Sequence, residues 1–459
     1  MRIFAVRDSF LRQRITRPTM VAAPRGKDDS KLYYFILSMK KNFRKLHLWL
    51  GLPFGLIISL ICFSGAMLLI EPEVTAWLQP EFQSVSEIKD KRLPADVLVE
   101  KVAATIPDSV QVTGITFSTD PTKPATVNLS QPRRASVSIN QYTGEVIGQS
   151  KRVPFFFTMF RLHRWLLDSY KPTGFSLGKL VTGVSTLMFV FVLISGLVIW
   201  WPKTRQALRN RLTVKTDKGR HRLFYDLHAA GGFYASILLL VMALTGLTWS
   251  FDWYRAGFYK VFGVEMAEGG HGGPSGGRGE GRGRGERGGR GEGREGKGRG
   301  ERGGRGEGRG EALPAGKKEA GKFDFGPSGS AEVPAKYPAS IAVWDAAYEQ
   351  VASDNIDKTY KAITISDGEA SLSLGGYGNQ RAADQYKYDT ATGQLLSVER
   401  YADMDNSSKI RGWVYTAHTF SWGGWFTRLP ALLAVLIGFL LPLTGCYLWW
   451  KRTFRKKNK

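Results

Sequence analysis

Four apolar segments, each about as long as a membrane span, constrain the fold of this chain more than any other feature. They cover approximately residues 46–70, 178–201, 230–251 and 429–450. A helix needs roughly 20 apolar residues to cross a bilayer, and only helices or closed barrels satisfy their backbone groups in lipid. The sequence therefore predicts an integral membrane protein with a four-helix transmembrane bundle, although its mean hydropathy of -0.19 resembles that of a soluble protein.

Basic residues are concentrated at one end of these segments, and they fix the predicted orientation. They precede the first segment (Arg44, Lys45), separate the second from the third (203–222) and follow the fourth (451–459). By the positive-inside rule these regions lie in the cytoplasm, so both termini are expected there. The net charge of +24 is thus attributed to the orientation of the spans in the membrane, and nucleic acid is not expected as a partner.

The chain reads as two similar halves, residues 47–201 and 228–450, each with two apolar segments around a long connection. Residues 268–311 are almost wholly Gly, Arg and Glu and are expected to form a disordered spacer. Met20 is left open as an alternative start of translation.

The predicted organisation is a basic cytoplasmic tail (1–40), a first transmembrane helix (41–71), a periplasmic domain (72–160), an interfacial segment with the second helix (161–202), a basic loop (203–227), the third helix (228–253), a second periplasmic domain (254–425), the fourth helix (426–450) and a cytoplasmic tail (451–459).

Each long connection is predicted to form a small α+β domain. Apolar residues at helical spacing predict helices over 94–106 and 338–352. Alternating apolar and polar residues predict strands over 360–366 and 370–374, and related alternation occurs in the first connection. The fold class expected is therefore an α-helical membrane bundle built from two repeats, with two α+β domains outside.

Four of the six histidines lie near the apolar segments, at equivalent places in the two halves. Polar groups at membrane depth are costly and are generally functional. Neutral imidazole suits iron, and an electron-transfer haem takes two axial ligands. The pattern predicts two b-type haems whose axial iron ligands are His47, His228, His163 and His418.

The orientation of the segments predicts how these histidines pair. His47 and His228 begin segments entered from inside, whereas His163 and His418 precede segments entered from outside, so an inner haem and an outer haem are expected. Eighteen residues of helix separate the two levels by roughly 27 Å. His221, seven residues before His228, is an alternative ligand in place of His228.

Two glycines belong to the same pattern. Gly51 and Gly232 follow His47 and His228 by four residues, so they lie one turn away on the same helix face. Such glycines either leave room for a flat cofactor or let two helices approach closely. The sequence leaves both roles open, and we take Gly51 and Gly232 as candidate cofactor-binding residues with close helix packing as the alternative.

Two hairpin motifs and four span motifs resemble a known family. The hairpins "T-G-E-V" and "Y-D-x-x-T-G-Q-L" resemble PepSY domains. The spans "L-H-L-W-L-G", "L-H-R-W-L-L", "Y-D-L-H-A-A-G-G-F-Y" and "G-L-V-I-W-W-P-K" resemble the PepSY-associated transmembrane family, over about residues 40–452. That family includes inner-membrane reductases linked to siderophore uptake and iron transport. The resemblance implies a dihaem oxidoreductase in the bacterial inner membrane, passing electrons from a cytoplasmic donor, such as a flavin reductase, to a periplasmic ferric chelate such as a ferric siderophore.

Charged and aromatic residues near the outer site are candidates for docking the chelate, although they equally suit membrane-interface anchoring. No catalytic side chain is assigned, because no nucleophile, phosphate-loop or dinucleotide motif occurs. Two alternatives remain open: a membrane scaffold, sensor or protease regulator without redox activity, and a haem conduit to a quinone or partner protein. The docking candidates are Arg161, Arg164, Trp165, Arg411, Trp413 and Trp422.

Overall fold

A computed structural model describes residues 27–132, 135–169, 175–202, 204–265 and 335–454 of the chain. The predicted spacer at 268–311, Met20 and most of the amino-terminal tail lie outside these residues. The helix that carries the first span begins at Lys27, within the segment assigned to the tail.

Helices alternate with strands in a similar order in both halves of the chain. The first half contains α1 (Lys27–Leu69), α2 (Glu71–Leu78), a 3₁₀ turn (Pro80–Phe82), α3 (Ala95–Ala103), β1 (Val112–Ser118), β2 (Ala125–Leu129), β3 (Ser136–Ile139), β4 (Val146–Gly148), α4 (Pro154–Trp165), α5 (Leu177–Trp200) and α6 (Arg205–Leu212). The second half contains α7 (Arg220–Asp226), a π-helical turn (Leu227–Gly231), α8 (Gly232–Leu247), α9 (Asp252–Val261), a 3₁₀ turn (Ala339–Val343), α10 (Trp344–Ser353), β5 (Tyr360–Ser366), β6 (Glu369–Leu374), β7 (Ala383–Tyr388), β8 (Leu395–Glu399), α11 (Asn406–His418), a 3₁₀ turn (Ser421–Gly423) and α12 (Trp425–Phe454).

Four helices of the described chain are long and apolar enough to cross a membrane, which confirms the predicted spans. α1 packs against α5 and α12, and α8 packs against the same two helices, so the four form a closed bundle. We call the end where α1 enters the bundle and α12 leaves it the basic end, and the opposite end the sheet end. The spans are Met39–Leu69, Leu177–Trp200, Arg220–Leu247 and Trp425–Phe454.

Two spans depart from regular α-helix close to a histidine. Pro53 lies inside α1, six residues after His47, and it lacks the N–H that would bond back to the preceding turn. His228 lies in the π turn Leu227–Gly231, between α7 and α8. π turns are rare and occur often at functional sites.

The strands of both connections form a single antiparallel sheet in the order β4-β3-β2-β1-β5-β6-β7-β8. β1 and β5 join the two halves, with Thr116 opposite Thr364 and their hydroxyl oxygens 2.9 Å apart. Two separate domains were expected from the sequence, and that expectation missed this junction. Pairing between strands so distant in sequence is not encoded by the local alternation that reveals each strand.

One face of the sheet is covered by α3 and α10, which contact each other and the central strands. Leu98 and Trp344 from these helices are fully buried, as are Ile115 and Ile363 from β1 and β5. Burial of this apolar surface is the main driving force that holds the two halves of the sheet as one layer.

Two short helices connect the sheet to the bundle, and each ends near a predicted ligand. α4 packs against α1 and α5 and carries His163, while α11 packs against α8 and ends at His418. Gly178 makes the first contact possible, because a β-carbon there would lie 1.8 Å from the carbonyl oxygen of Trp165. Both helices therefore lie over the sheet end of the bundle, as short helices that fold back onto it.

Candidate cofactor site

The inner pair of histidines lies at the basic end of the bundle. The ring centroids of His47 and His228 are 6.2 Å apart, with the rings nearly perpendicular at 88°. His47 Nδ1 lies 3.0 Å from the carbonyl oxygen of Val192 and 3.1 Å from Ser195 Oγ on α5. Because a carbonyl oxygen only accepts, Nδ1 carries the proton and donates, which leaves Nε2 as the nitrogen with a free lone pair.

His228 is held in the same way by α12. Its Nδ1 lies 3.1 Å from the carbonyl oxygen of Leu441 and 3.0 Å from Thr444 Oγ1. The Thr444 hydroxyl donates to carbonyl oxygens of its own helix, so it accepts from the imidazole N–H. His228 is therefore also presented with Nε2 available.

The outer pair lies at the sheet end, where the ring centroids of His163 and His418 are 6.1 Å apart. His163 Nδ1 donates to the carbonyl oxygen of Ile61 at 2.9 Å, with Ser64 Oγ at 3.4 Å. Burial lowers the pKa of His163. Hence this imidazole is neutral near pH 7, in the form that binds metal ions.

His418 has the matching arrangement on α8. Its Nδ1 lies 3.0 Å from the carbonyl oxygen of Met242 and 3.1 Å from Thr245 Oγ1. Burial, with a smaller contribution from the neighbouring His163, lowers the pKa of His418 to about 3. Trp249 contacts the ring edge-on, with the centroids 5.1 Å apart.

A serine or threonine followed by glycine supports each of the four histidines. The hydroxyl residue contacts Nδ1, and a β-carbon on the glycine would lie only 3.1–3.2 Å from Cε1 of the same ring. Two of these glycines, Gly65 and Gly246, each lie 18 residues after the histidine near the start of the same span, but that spacing alone reveals no role. The supporting pairs are Ser195-Gly196 for His47, Ser64-Gly65 for His163, Thr444-Gly445 for His228 and Thr245-Gly246 for His418.

The hydrogen bonds that orient each histidine come from its own half of the chain, whereas its paired histidine comes from the other half. Each histidine is supported by the other span of its own half: α5 holds His47 and α12 holds His228. Each pair, in contrast, takes one histidine from each half. The structure thus brings together the histidines that the predicted orientation paired, and it does so for both pairs.

A cavity of about 1070 Å³ opens around the inner pair. His47, His228 and Gly51 line it, and a β-carbon at Gly51 would meet nothing within 4 Å. Gly232 also lines the cavity, but Leu441 would lie 3.4 Å from a β-carbon there. Of the two roles left open for these glycines, open space therefore describes Gly51, whereas Gly232 is in ordinary van der Waals contact with α12.

His221 lines the same cavity from α7. Its ring centroid is 6.5 Å from that of Tyr447, whereas His228 is the residue whose ring lies against His47. His228 is also the one fixed through Nδ1 by α12. The geometry therefore favours His228 over His221 as the partner of His47.

The predicted docking residues fall into two groups. In the first half, Arg161 donates to the carbonyl oxygen of Leu167 at 2.7 Å, and Arg164 lies over the ring of the neighbouring Trp165 at 5.3 Å. These contacts hold the end of α4 in place. Both arginines are therefore engaged locally.

The second group lies on α11 and the 3₁₀ turn that follows it. Trp413 and Trp422 expose 43% and 42% of their surface, and Arg411 interacts with the Tyr259 side chain on α9. The loop after β6 adds Tyr377, which is 78% exposed; the next residue, Gly378, donates to the carbonyl oxygen of Trp422. This loop could not be identified from the sequence, because nothing local shows that it docks beside α11.

No group of three or more His, Cys, Asp or Glu suited to a metal ion occurs in the part of the chain that the structure describes. The two cysteines, Cys62 and Cys446, are both unpaired. Among the described His, Cys, Asp and Glu side chains, each site therefore offers two candidate ligands, the paired histidines.

The fold and the paired imidazoles define a class of protein: a four-span membrane protein with two half-buried histidine pairs and one extramembrane β-sheet. The chain belongs to the family of the PepSY-associated TM region, whose sequence profile matches residues 44–452. This confirms the family that the hairpin and span motifs resemble, and the match includes all four paired histidines. No curated protein sequence matches the chain.

Proposed function

We propose that the protein is a dihaem transmembrane oxidoreductase that accepts electrons at the basic end and reduces a ferric chelate, such as a ferric siderophore, at the sheet end. The observation that carries the proposal is the presence of two imidazole pairs with matching support at opposite ends of one bundle. His47 and His228 would hold one b-type haem, His163 and His418 a second, and each would supply one-electron chemistry at its end of the bundle.

The residues present fit that cofactor. Two nitrogen–metal bonds of roughly 2 Å, each extended by about 1 Å from nitrogen to ring centre, correspond to centroids about 6 Å apart. The observed separations are 6.2 and 6.1 Å. Haem supplies the four further ligands that the described side chains do not, and Gly51 leaves open space beside the inner pair.

The protein's own contribution is to fix the direction of each imidazole. An N–H donated to a backbone carbonyl sets the tautomer and the ring orientation, and raises the basicity of the ligating nitrogen. The bundle also limits the contact of the outer pair with water, since both of its histidines are half-buried. A ligand set held rigidly in this way needs little reorganisation when an electron arrives, which suits electron transfer.

We further propose that the two halves are repeats of one unit, and that the basic end faces the cytoplasm of a bacterial cell. Equivalent threonines, Thr116 and Thr364, pair at the centre of the sheet, as expected for two like units related by a twofold axis. The positive-inside rule supports the orientation. The sheet and the exposed surface around Trp413 and Trp422 then lie in the periplasm, where the chelate would dock.

The test is an absorption spectrum of the purified protein, air-oxidised and then reduced with dithionite, with haem quantified per chain. A sharp reduced α-band and two haems per chain, one for each pair, would support the proposal. A featureless visible spectrum from haem-sufficient cells would refute it and would favour a scaffold or sensor. Reduction of a quinone but not of ferric chelates would refute the assigned acceptor alone.

Replacing Thr245 with valine is expected to weaken the outer haem site without emptying it. Valine keeps the size of the side chain and removes the hydroxyl that accepts from His418, while the carbonyl oxygen of Met242 remains. Loss of such a supporting hydrogen bond typically lowers metal affinity by about 10- to 100-fold, and the lower end is expected here. The measurement is the transfer of haem to excess apomyoglobin.

Thr182→Val provides the matched control, because the Thr182 hydroxyl is buried and bonds to no described group. That variant should retain haem as the unmodified protein does. Equal retention in all three proteins would show that the hydroxyl of Thr245 does not support the ligand.

A further inference from the structure

The cavity around the inner histidine pair has a charge that haem alone does not explain. Six Lys and Arg side chains line it, and no Asp or Glu does so among the described residues. None of the six makes an ion pair with a described carboxylate. A haem would bring two propionate groups to this end of the bundle, which leaves most of the positive charge unmatched. The six are Lys41, Arg44, Lys45, Arg211, Lys451 and Arg452.

A buried hydrogen-bond donor in the same wall also lacks an acceptor. Trp200 is only 7% exposed, and its ring stacks on Phe233 with centroids 3.7 Å apart. Its Nε1–H donates to no described group. A buried donor without a partner costs roughly 1–3 kcal/mol, so such groups usually meet a bound ligand or water. Trp200 lines the cavity, so an acceptor atom placed there would satisfy it.

We propose that this cavity binds a phosphate-bearing reduced flavin, of the flavin mononucleotide type, as the immediate electron donor. This inference rests on the proposed function, because it names the donor for the inner pair. The unmatched cations select a phosphate, since charge-assisted hydrogen bonds to phosphate are among the strongest available. The aromatic side chains Trp49 and Trp449 in the lining suit a flat ring system.

The chemistry of the acceptor selects a flavin among phosphate-bearing reductants. A nicotinamide donor gives up a hydride, whereas a flavin can also release its electrons singly. One reduced flavin releases two electrons and two protons and leaves as the oxidised flavin. Those electrons convert two ferric ions of the chelate to ferrous ions, one electron each, so the reaction balances without another reactant.

Flavin mononucleotide and riboflavin form a matched pair of probes, because they share one ring system and differ by the phosphate. Binding of the oxidised forms to the haem-loaded protein in nanodiscs is measured by quenching of flavin fluorescence. We expect flavin mononucleotide to bind at least about tenfold more tightly, as one charge-assisted contact implies. Raising the salt concentration should reduce this preference, since exposed charges are screened.

Two double variants distinguish the effect of the charges that line the cavity from the effect of the overall positive charge at the basic end. Lys451→Gln with Arg452→Gln, in the cavity wall, should remove most of the preference for the phosphate. Arg205→Gln with Arg209→Gln removes the same charge from α6. These two arginines are exposed and, unlike Arg211, do not line the cavity, so this variant should leave the preference intact. Trp200→Phe keeps the ring and removes the donor, so it should weaken flavin binding roughly two- to tenfold.

Equal affinity for the two flavins would overturn the proposal, as would equal losses in both pairs of charge variants. Reduction rates with dihydro-flavin mononucleotide and dihydroriboflavin provide a second readout, in which the same preference is expected. Haem content is measured on the same samples. A protein with two haems that binds neither flavin would refute the donor and leave the proposed function standing, whereas a protein without haem would refute the proposed function itself.

Discussion

Replacing His47 with alanine is expected to reduce the haem content from two to one per chain and to abolish electron transfer from the basic end. The inner pair would then keep only His228, whereas the outer pair lies roughly 27 Å away along α1 and keeps both ligands. Dithionite should still reduce the remaining haem directly. The measurements are haem per chain, the reduced α-band, and ferric chelate reduction with a donor added at the basic end.

Double variants make this prediction sharper, because residues that hold one group act as a unit and do not add. His47→Ala combined with His228→Ala should lose no more haem than either change alone. His47→Ala combined with His163→Ala should lose both haems. The control is His221→Ala, which removes an exposed histidine from the same cavity and should keep two haems. Loss of both haems from the single His47 variant would contradict the assigned pairing.

Replacing Gly51 with leucine is expected to exclude the inner haem while leaving the fold intact. A β-carbon at this position meets nothing within 4 Å, so a side chain can begin there without displacing a described protein atom. Leucine also favours helix by up to about 1 kcal/mol over glycine. The side chain would instead extend into the cavity beside His47, where the flat cofactor is proposed to lie.

Gly257→Leu is the matched control, since a β-carbon at Gly257 on α9 also meets nothing within 4 Å. That variant should keep two haems. Haem content and thermal unfolding are measured together, so loss of cofactor is separated from loss of structure. A Gly51→Leu protein that retains two haems with unchanged spectra would show that the open space at Gly51 is not cofactor space.

The features that the sequence predicted are those encoded locally. The four spans follow from apolar runs, and the strands at 360–366 and 370–374 follow from alternation; the structure places them at Tyr360–Ser366 and Glu369–Leu374. The pairing of His47 with His228 followed from orientation, a property of the whole chain that basic residues reveal. The spans and strands can thus be predicted from short stretches of sequence, whereas the pairing needs the distribution of charge along the whole chain.

The features that the sequence did not predict depend on contacts between distant segments. The support of His47 by Ser195 joins residues on different spans, and the pairing of β1 with β5 joins the two connections. Nothing near His47 identifies its hydrogen-bond acceptor. The regular spacing of the Ser-Gly and Thr-Gly pairs was the one available signal, and its meaning required the geometry of the bundle.

The separation between support and pairing has a consequence for how the protein is made. A chain grows from its amino end, and its first half can fold before the second exists. α1 and α5 together already orient His47, and α1 with α4 orients His163, before either has a partner. The last span, α12, then completes the support of His228. The two proposed haem sites would therefore be completed in a fixed order: the outer pair has both histidines and both supports once α11 is made, whereas the inner pair is complete only after α12.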